Sequence, residues 1–312
     1  MIFLVWFGRK IAGNWRVCTR FRGKLTQLWS ERVQGASVVA VLNGSMLMKA
    51  VLLCGGQGTR LREETEFRPK PMVEVGGKPI LWHIMKIFGH HGVRDFVMCL
   101  GYRGNLIKEY FLSYEAMNSD FSITLGREQR FEFHDHHPEQ DLRVTLADTG
   151  QSSMTGGRIR RIERYVADDE RFIVTYGDGL ADIDVQALLE FHKSHGRIAT
   201  VSTVRQTSRF GVLDVTPAGE VSRFEEKPRL DGWINIGFIV FERRVFDYLS
   251  DGSDATILEQ ETLRRLAQEG ELRAYQHHGF FFAMDTYREY LHLNELWTSG
   301  KAPWKVWAGS KS

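Results

Sequence analysis

The sequence predicts an α/β fold, in which helices cover both faces of a mainly parallel sheet. Apolar strands rich in Val, Ile, Leu and Phe alternate with helical stretches from residue 49 to residue 204. Strands that are apolar throughout are typical of parallel sheets, because both faces of such a sheet are buried. Ligands of these sheets bind beyond the carboxyl ends of the strands, and glycine-containing turns follow two predicted strands there, at Gly55 and Gly177.

Local patterns identify the elements in the first two thirds of the chain. Lys49–Cys54 is a short apolar run that leads directly into glycines, which indicates a buried strand. Leu81, Ile84 and Phe88 recur with helical period and would share one face. The elements predicted in this way are strands at Lys49–Cys54, Asp95–Leu100, Phe172–Tyr176 and Ile198–Val204, and helices at Ile80–His91, Asn105–Met117 and Val185–His195.

The pattern changes in the last third of the chain. Val212–Val215 and Val221–Phe224 flank a Pro-Ala-Gly turn, which predicts a hairpin. Trp233–Phe241 is predicted as one strand that contains Asn235 and Gly237. We therefore expect a smaller lobe with a mixed sheet. The remaining predicted elements are helices at Leu258–Glu269 and Tyr287–Ser299 and an aromatic tail at Ala302–Trp307.

The balance of charge argues against nucleic acid or an anionic membrane as the main partner. The 312 residues include 41 basic and 39 acidic side chains, which gives a net charge of +2. The three cysteines, Cys18, Cys54 and Cys99, lack the spacing of a metal site and are too few for a disulfide framework. We therefore expect a protein of the reducing cytoplasm.

Residues 1–47 are predicted to be an extension of the folded protein, either loosely ordered or the product of an upstream start. The apolar run Met1–Phe7 is too short to span a membrane. Basic residues follow this run, whereas the charge of a secretory signal precedes its apolar core. Met46 and Met48 stand directly before the first predicted strand. A helix appended for assembly is the alternative interpretation.

A glycine-rich loop follows the first strand. Gly55, Gly56 and Gly58 allow the backbone to approach a ligand closely, and their N–H groups suit phosphate oxygens. Thr59 and Arg60 come next, and the planar guanidinium of Arg60 matches a phosphate group. The spacing is neither that of a Walker loop nor that of the dinucleotide fingerprint. It thus predicts a phosphate site of another kind and argues against a nicotinamide-dependent dehydrogenase.

Lys70 lies between Pro69 and Pro71. Each proline fixes its own φ and restricts the residue before it, so that Lys70 is held on a stiff, extended segment. A solvated lysine in an ordinary turn would not need this brace. Together with the glycine-rich loop, the segment predicts that Lys70 binds a polyphosphate.

These motifs resemble the signature of the sugar-1-phosphate nucleotidylyltransferases, and other motifs resemble the branch of that family that uses CTP and glucose 1-phosphate. The resemblance runs from Met48 to about Trp307. It implies a Rossmann-like three-layer nucleotidyltransferase fold, with a nucleotide-binding core at residues 48–205 and a sugar-phosphate-binding lobe with C-terminal helices at residues 206–312. The motifs lie at residues 55–61, 69–72, 76–86, 149–158, 176–179, 226–228, 284–286 and 300–305.

Two groups of residues have side chains that bind metals in other proteins. Asp178 lies between two glycines and is either a turn aspartate or a ligand for Mg²⁺, which prefers carboxylates together with phosphate oxygens and water. The resemblance favours the second interpretation and implies Mg²⁺ as cofactor, with Asp285 as a further ligand. His134, His136 and His137 could bind zinc, but their polar surroundings favour a solvated loop.

The resemblance also implies roles for individual residues. From the residues alone, Lys227 could equally be a surface partner of Glu226, and Arg158 an ordinary arginine at a helix start. The resemblance implies catalytic roles for Arg60, Lys70, Asp178 and Lys227. It implies sugar contacts for Gly211, Glu226, Lys227, Asn235 and Gly237. It implies nucleotide contacts for Leu53, Gly55, Gly56, Gly58, Thr59, Arg60, Lys70, Thr149, Gly150, Ser153 and Arg158.

The implied reaction transfers a cytidylyl group from CTP to glucose 1-phosphate. A sugar phosphate is mostly doubly ionised at neutral pH, with a second pKa near ~6, and therefore needs no general base. Catalysis would then depend on positioning and charge neutralisation. Transfer from UTP, dTTP or GTP and a non-catalytic regulatory domain are the alternatives. The resemblance further implies a homo-oligomer, a hexamer, which supplies deoxysugar synthesis for a surface polysaccharide such as the lipopolysaccharide O-antigen.

Overall fold

The computed structural model describes residues 46–126, 130–135, 137, 139, 141–208, 210–249 and 254–309, and the statements below concern these residues. The predicted extension at residues 1–47 lies outside them, apart from Met46 and Leu47 in the first strand. In chain order the strands are β1 (Met46–Cys54), β2 (Glu74–Val75), β3 (Lys78–Pro79), β4 (Val93–Leu100), β5 (Phe121–Thr124), β6 (Arg130–Phe133), β7 (Arg143–Asp148), β8 (Arg171–Tyr176), β9 (Gly179–Ala181), β10 (Ala199–Thr207), β11 (Val212–Val215), β12 (Val221–Glu225), β13 (Arg229–Asn235), β14 (Ile239–Glu242), β15 (Leu272–Gln276) and β16 (Phe281–Ala283).

Helices and short turns connect these strands. In chain order the helices are α1 (Arg62–Thr65), α2 (Ile80–His90), α3 (Gly104–Leu112), α4 (Tyr114–Asn118), α5 (Thr155–Arg161), α6 (Glu163–Val166), α7 (Val185–His195), α8 (Thr262–Gln268) and α9 (Tyr287–Thr298). Turns of 3-10 helix occupy Thr59–Leu61, Lys70–Met72, Arg243–Asp247 and Val306–Gly309. Within the described residues, no helix has the length and apolar character that crossing a membrane requires.

A mixed, mainly parallel sheet forms the centre of the fold, which confirms the predicted class. Its strands follow the order β7-β4-β1-β8-β14-β10-β13. The first four run parallel to one another. β14 is antiparallel to both β8 and β10, and β13 is antiparallel to β10. β15 pairs in parallel with the opposite edge of β10.

Two hydrophobic cores cover the two faces of this sheet. Ala50, Leu52 and Cys54 of β1 point into one core, whereas Val51 and Leu53 point into the other. Both faces of β1 are therefore buried, which explains why the strand is apolar throughout. The predicted apolar face of α2 packs into the first of these cores.

The helix predicted at Asn105–Met117 is two helices in the structure, α3 and α4. Ser113 separates them, with φ −96° and ψ 2°. Its hydroxyl donates a hydrogen bond of 2.7 Å to the carbonyl oxygen of Glu109. Serine side chains compete in this way with the helical backbone for hydrogen bonds. The predicted single helix is therefore wrong at this residue.

The strand predicted at Trp233–Phe241 is also divided, into β13 and β14. Gly237 and Phe238 between them have φ values of 78° and 48°, which a continuous strand does not accommodate. Both strands pair with the same edge of β10. The chain therefore makes a turn after β13 and then continues along the same edge as β14. The N–H of Gly237 donates to Oδ1 of Asn235 at 2.9 Å, which fixes the side chain of Asn235 at this turn.

Several elements depend on tertiary contacts that the sequence patterns do not reveal. β9 and β16 have three residues each and pair only with one another. β7 and the β5–β6 hairpin are also absent from the prediction. The helix predicted at Leu258–Glu269 begins only at Thr262. The preceding residues contact α5, where the N–H of Leu258 donates to Oγ1 of Thr155 at 2.9 Å.

The aromatic C-terminal tail is anchored by a buried histidine on α2. Nε2 of His83 lies 2.8 Å from the carbonyl oxygen of Val75, and Nε1 of Trp304 donates to Nδ1 of His83 at 3.3 Å. Since Nδ1 accepts from Trp304, Nε2 carries the proton of a neutral imidazole. Both rings are fully buried. Burial lowers the pKa of His83 to about 4.

This histidine predicts a loss of stability in weak acid. Between pH 6.5 and about 4 the unfolded chain binds a proton at residue 83 that the folded chain does not bind, so the free energy of unfolding falls as the pH falls. The contribution of His83 is at most roughly 3 kcal/mol over this range. His83→Gln keeps a donor and an acceptor without this proton. In urea titrations from pH 7 to pH 4, we expect a smaller loss for His83→Gln than for the wild type.

The matched control is His278→Gln, because His278 is exposed and lies outside the aromatic cluster around Trp304. This variant is expected to keep the wild-type dependence on pH. An unchanged dependence in His83→Gln would show that protonation of His83 does not limit stability in acid.

Candidate active site

A cavity of about 320 Å³ lies at the carboxyl ends of β1 and β8. It is bordered by the glycine-rich loop after β1, by the start of α5 and by the turn after β8. This position agrees with the rule that ligands of parallel sheets bind beyond the strand ends. The cavity brings together ten predicted site residues: Leu53, Gly55, Gly56, Gly58, Thr59, Arg60, Lys70, Ser153, Arg158 and Asp178.

The glycine-rich loop is held in a defined shape. Gly58 has a φ of 64°, and a Cβ there would lie 2.9 Å from Cγ2 of Thr65. The hydroxyl of Thr65 contacts the carbonyl oxygens of Gly58 at 2.9 Å and Leu61 at 2.8 Å. A Cβ at Gly56, in contrast, would meet no atom within 4 Å. Thr65 therefore fixes the shape of the loop, while the backbone at Gly56 stays open to a ligand.

Lys70 lies at the centre of a cluster of charges. Its Nζ is 2.5 Å from Oδ2 of Asp178 and 2.7 Å from Oδ1 of Asp285. Only 9% of Lys70 is exposed. Burial alone would lower the pKa of Lys70, but the two carboxylates outweigh this effect and raise it. The lysine is therefore a fixed positive charge at the edge of the cavity.

A short pair of strands brings the two carboxylates together. β9 follows Asp178 and β16 precedes Met284, and Gly179 pairs with Ala283 in antiparallel register. The N–H of Met284 also donates to the carbonyl oxygen of Asp178 at 3.0 Å. This pairing places Asp285 beside Asp178, although they are 107 positions apart in the chain.

The two carboxylates fit a divalent cation. Each of them places an oxygen within 2.7 Å of the same ammonium group, so the pair can bind one cation from both sides. The described residues contain no group of three or more histidine, cysteine and acidic side chains around one point. A cation at Asp178 and Asp285 would therefore complete its coordination with oxygens of a substrate and of water, as is typical of Mg²⁺.

Arg60 differs from Lys70 in its exposure. Its side chain is 73% exposed, and its guanidinium lies 3.0 Å from Oδ1 of Asp285. An exposed ion pair contributes little to stability. The guanidinium can consequently exchange this carboxylate for a phosphate group in the cavity at small cost.

Arg158 is enclosed by protein oxygens. NH1 donates to the carbonyl oxygens of Leu100 and Gly150 and to Oγ1 of Thr149, at 2.8 to 3.0 Å, and NH2 donates to the carbonyl oxygen of Gly55 at 3.0 Å. Burial lowers the pKa of this guanidinium. The contacts hold the glycine-rich loop against the loop that follows β7. The predicted contact between Arg158 and a phosphate of CTP stays a prediction.

The spacing of the glycines leaves room for this guanidinium. A Cβ at Gly55 would lie 2.1 Å from Cζ of Arg158, and a Cβ at Gly101 would lie 2.5 Å from NH1. Gly55 therefore accommodates Arg158, in addition to its predicted role in the phosphate loop. Thr149 and Gly150 contact Arg158 and do not border the cavity.

The predicted sugar-binding residues lie outside the cavity. Lys227 is 62% exposed and has a φ of 50°, a strained conformation for a lysine, of the kind found at functional sites. A Cβ at Gly211 would lie 3.1 Å from Oε2 of Glu226, so these two residues are neighbours. Asn235 points towards the cavity, because its Nδ2 donates to the hydroxyl of Tyr176 at 3.4 Å.

The histidines considered for zinc have separate partners. Nε2 of His134 contacts Oγ of Ser122 at 2.8 Å, and Nε2 of His137 contacts Oε2 of Glu115 at 2.7 Å. His136 lies outside the described residues. The two described side chains therefore do not share a site in this structure.

Tyr176, Thr155 and Glu259 belong to the site region, although no role for them follows from the sequence. Tyr176 and Thr155 border the cavity, and Glu259 accepts hydrogen bonds from both hydroxyls. Tyr176 lies within a recognised motif and carried no assigned role. Glu259 has no local signal, because its partners are separated from it by 83 and 104 residues.

Comparison with known proteins identifies a family and a fold. The model of the nucleotidyl transferase family matches residues 49–297. A glucose-1-phosphate cytidylyltransferase of Salmonella typhimurium is 54% identical over 261 residues, which cover 83% of this chain and 100% of that protein. A probable glucose-1-phosphate cytidylyltransferase of Bacillus subtilis is 46% identical over 263 residues, with the same coverage of both chains.

Solved structures support the fold alone. The crystal structure of HddC from Yersinia pseudotuberculosis superimposes with a TM-score of 0.59 at 23% sequence identity. The match covers 80% of this chain and 100% of that chain. At this level of identity the likeness concerns the arrangement of strands and helices.

The charge cluster predicts that Lys70 stabilises the substrate-free protein. Lys70→Met preserves the apolar stem and leaves Asp178 and Asp285 without their shared counter-ion. We expect the free energy of unfolding at pH 7, without divalent cations, to fall by roughly 2–3 kcal/mol. Chemical denaturation measures this loss.

Lys86→Met is the matched control, because Nζ of Lys86 has one carboxylate partner, Glu139, at 2.9 Å. The loss at Lys86 is expected to be smaller. An equal or larger loss in Lys86→Met would contradict a special role of the two carboxylates at Lys70.

Proposed function

Since the chain belongs to the nucleotidyl transferase family, we propose that it transfers the cytidylyl group of CTP to glucose 1-phosphate and thereby forms CDP-glucose and pyrophosphate. The observation that carries the choice of substrates is the 54% identity to a glucose-1-phosphate cytidylyltransferase along its whole length. The cavity beside the glycine-rich loop, Lys70 and Asp178 supports the same chemistry.

The triphosphate of CTP binds along the glycine-rich loop. The backbone at Gly56 is open to a ligand, and Arg60 and Lys70 border the same cavity. Backbone N–H groups of the loop would donate to phosphate oxygens, and the two side chains would offset the negative charge of the phosphates. Lys70 acts as a compact point charge and Arg60 as an exposed fork that turns towards the ligand. Ser153 borders the same cavity, and we expect it to contact the nucleoside.

Glucose 1-phosphate binds on the side of the second lobe. Lys227 pairs with its phosphate, and Glu226 accepts a hydrogen bond from a sugar hydroxyl. Asn235 and Gly237 form the turn that faces Tyr176 at the cavity, and Gly211 lies beside Glu226. The division of the chain into a nucleotide-binding part, 48–205, and a sugar-phosphate-binding part, 206–312, belongs to this proposal.

Asp178 and Asp285 would hold Mg²⁺ when the substrates are bound. The ion would supply neutralisation of the charge that develops on the phosphates. Lys70 releases at least part of its contact with the two carboxylates in that state and turns its charge towards the nucleotide. Lys70 and the two aspartates would therefore each exchange one partner of opposite charge for another.

The transfer itself is a displacement at the α-phosphorus of CTP. An oxygen of the sugar phosphate forms the new P–O bond while the bond to the pyrophosphate oxygen breaks, so that the electron pair leaves with pyrophosphate. The attacking oxygen is already ionised at neutral pH, and no side chain needs to accept a proton. The enzyme contributes alignment and charge neutralisation, which are the main terms in transfers of this kind.

The reaction predicts strict dependence on CTP. We expect pyrophosphate release from CTP and glucose 1-phosphate with Mg²⁺, and much slower release from UTP, dTTP or GTP. In Asp178→Asn, which keeps the shape and removes the anionic ligand, turnover is expected to fall roughly a hundredfold, or about 2.7 kcal/mol of barrier. Continuous pyrophosphate detection measures both effects.

Equal turnover with another nucleotide would contradict the choice of CTP and leave nucleotidyl transfer intact. Near-wild-type turnover of Asp178→Asn at saturating Mg²⁺ would show that Asp178 is a turn residue. Absence of pyrophosphate release with every nucleotide and several sugar 1-phosphates would favour the non-catalytic alternative.

We also propose that the protein is a homo-oligomer assembled through the β5–β6 hairpin. Phe121 pairs with Phe133 and Ile123 with Phe131, so the four side chains share one face of the hairpin. All four are between 37% and 53% exposed. An isolated two-stranded hairpin is only marginally stable in water, and an exposed apolar patch typically marks an interface. A second copy of the chain would cover this face.

This assembly predicts a change of mass on disruption of the apolar face. Phe131→Asp places a charge in the proposed contact and is expected to convert the oligomer to monomers in light scattering after size exclusion. Ser122→Asp adds the same charge to the opposite, polar face and is expected to keep the wild-type mass. A hexameric wild type would match the number implied by the resemblance. Unchanged mass in Phe131→Asp would exclude this hairpin as the main contact.

The cellular location and the use of the product complete the proposal. The described cysteines, Cys54 and Cys99, are free buried thiols, which supports the predicted cytoplasmic location. A nucleotide sugar is the activated donor for later reactions, so the product would supply deoxysugar synthesis for a surface polysaccharide.

A further inference from the structure

Three polar side chains connect the end of β8 with the start of α5. The hydroxyl of Tyr176 donates to Oε1 of Glu259. Oε2 of Glu259 accepts from Oγ1 of Thr155 at 2.8 Å. Burial, together with the neighbouring Glu259 carboxylate, raises the pKa of Tyr176, so the hydroxyl keeps its proton and stays a donor. Both oxygens of Glu259 are thus occupied by hydroxyl groups that border the cavity.

Tyr176 also contacts the turn between β13 and β14. Nδ2 of Asn235 donates to the Tyr176 hydroxyl at 3.4 Å. A Cβ at Gly237 would lie 2.9 Å from Cδ2 of the same ring, so the turn packs directly against Tyr176. Any shift of Tyr176 would therefore be transmitted to the turn at Asn235–Gly237.

On the other side, Glu259 belongs to a bracing segment, residues 254–259, that packs along the start of α5. The N–H of Met154 donates to the carbonyl oxygen of Asp254 at 2.7 Å, and the N–H of Gly156 donates to that of Thr256 at 3.0 Å. A Cβ at Gly156 would lie 2.6 Å from Cγ2 of Thr256. The bracing segment therefore fixes residues 153–156, of which 153–155 border the cavity.

We propose that Glu259 is a positioning residue that, through Tyr176 and Thr155, sets the distance between residues 153–156 at the start of α5 and the turn at Asn235–Gly237. The assignment of the two sides to nucleotide and sugar rests on the proposed function. Glu259 does not border the cavity and acts only through its two partners. Its carboxylate is suited to this role because it accepts from two donors at once, whereas an amide has one acceptor atom.

The consequence for the reaction is a loss of alignment. In-line transfer requires the reacting atoms to lie about 3–3.5 Å apart, and a displacement of about 1 Å can cost a hundredfold in rate. Each substrate would still find its own binding groups when Glu259 loses one partner. The effect should therefore fall on kcat more than on either KM.

The test compares Glu259→Gln and Tyr176→Phe with a remote pair of the same chemistry. The hydroxyl of Tyr248 donates to Oε2 of Glu269 at 2.6 Å, so Tyr248→Phe and Glu269→Gln are matched controls. We expect kcat to fall roughly 10- to 100-fold in Glu259→Gln, with each KM changed less than about threefold, and no change in the controls. The double variant Glu259→Gln, Tyr176→Phe should lose little more kcat than either single variant, because both substitutions break the same hydrogen bond between Tyr176 and Glu259.

Two substitutions of Thr155 test whether its hydroxyl is the group that matters. Thr155→Ser keeps the hydroxyl and is expected to retain most of the wild-type kcat, whereas Thr155→Val removes it and should resemble Glu259→Gln. A role in stability alone would lower the melting temperature and leave kcat unchanged below it, which would overturn the proposal. A large rise in only one KM would indicate direct contact with that substrate and would also overturn it.

Hydrogen exchange of the substrate-free protein separates this inference from the proposed function. We expect faster amide exchange in Glu259→Gln at residues 153–156 and 235–238, and wild-type exchange in Glu269→Gln. This readout does not require catalysis, so it tests the link even if CTP is not the substrate. Unchanged exchange at both segments would overturn the inference while leaving the cytidylyl transfer intact.

Discussion

The ammonium of Lys70, held between Asp178 and Asp285, is the contact around which the site is built. Opposite charges in a partly buried position must be matched, because an unpaired one is costly. The fold therefore has to bring three distant residues to one point. Pro69 and Pro71 hold the lysine, the turn between β8 and β9 carries Asp178, and the pairing of β9 with β16 places Asp285 beside it.

This arrangement also links the substrate-free state to the proposed reaction. When the cavity is empty, the two carboxylates are balanced by two cations, Lys70 and Arg60. On binding, the carboxylates would turn to the metal and the lysine to the nucleotide. The same residues would thus stabilise the free protein and take part in the proposed reaction.

The glycines of the site make room for protein side chains as well as for a ligand. Gly55 and Gly101 make room for the guanidinium of Arg158, and Gly156 makes room for Thr256. Arg158 in turn binds the carbonyl oxygens of Gly55, Leu100 and Gly150 and so connects the glycine-rich loop with the ends of β4 and β7. Together with the bracing segment, these contacts form a rigid support under a loop whose open side, at Gly56, remains available to phosphates.

The sequence by itself determined the class of fold, the central strands and the position of the glycine-rich loop, because apolar runs, glycine spacing and proline positions are local signals. It also placed Lys70 and Asp178 in one site through their motifs. It did not show the break at Gly237, the short strands β9 and β16, or the partners of Arg158. No sequence pattern indicated a role for Glu259. Only the tertiary structure decided these features, because each depends on hydrogen bonds and close contacts between residues far apart in the chain, which no local pattern records.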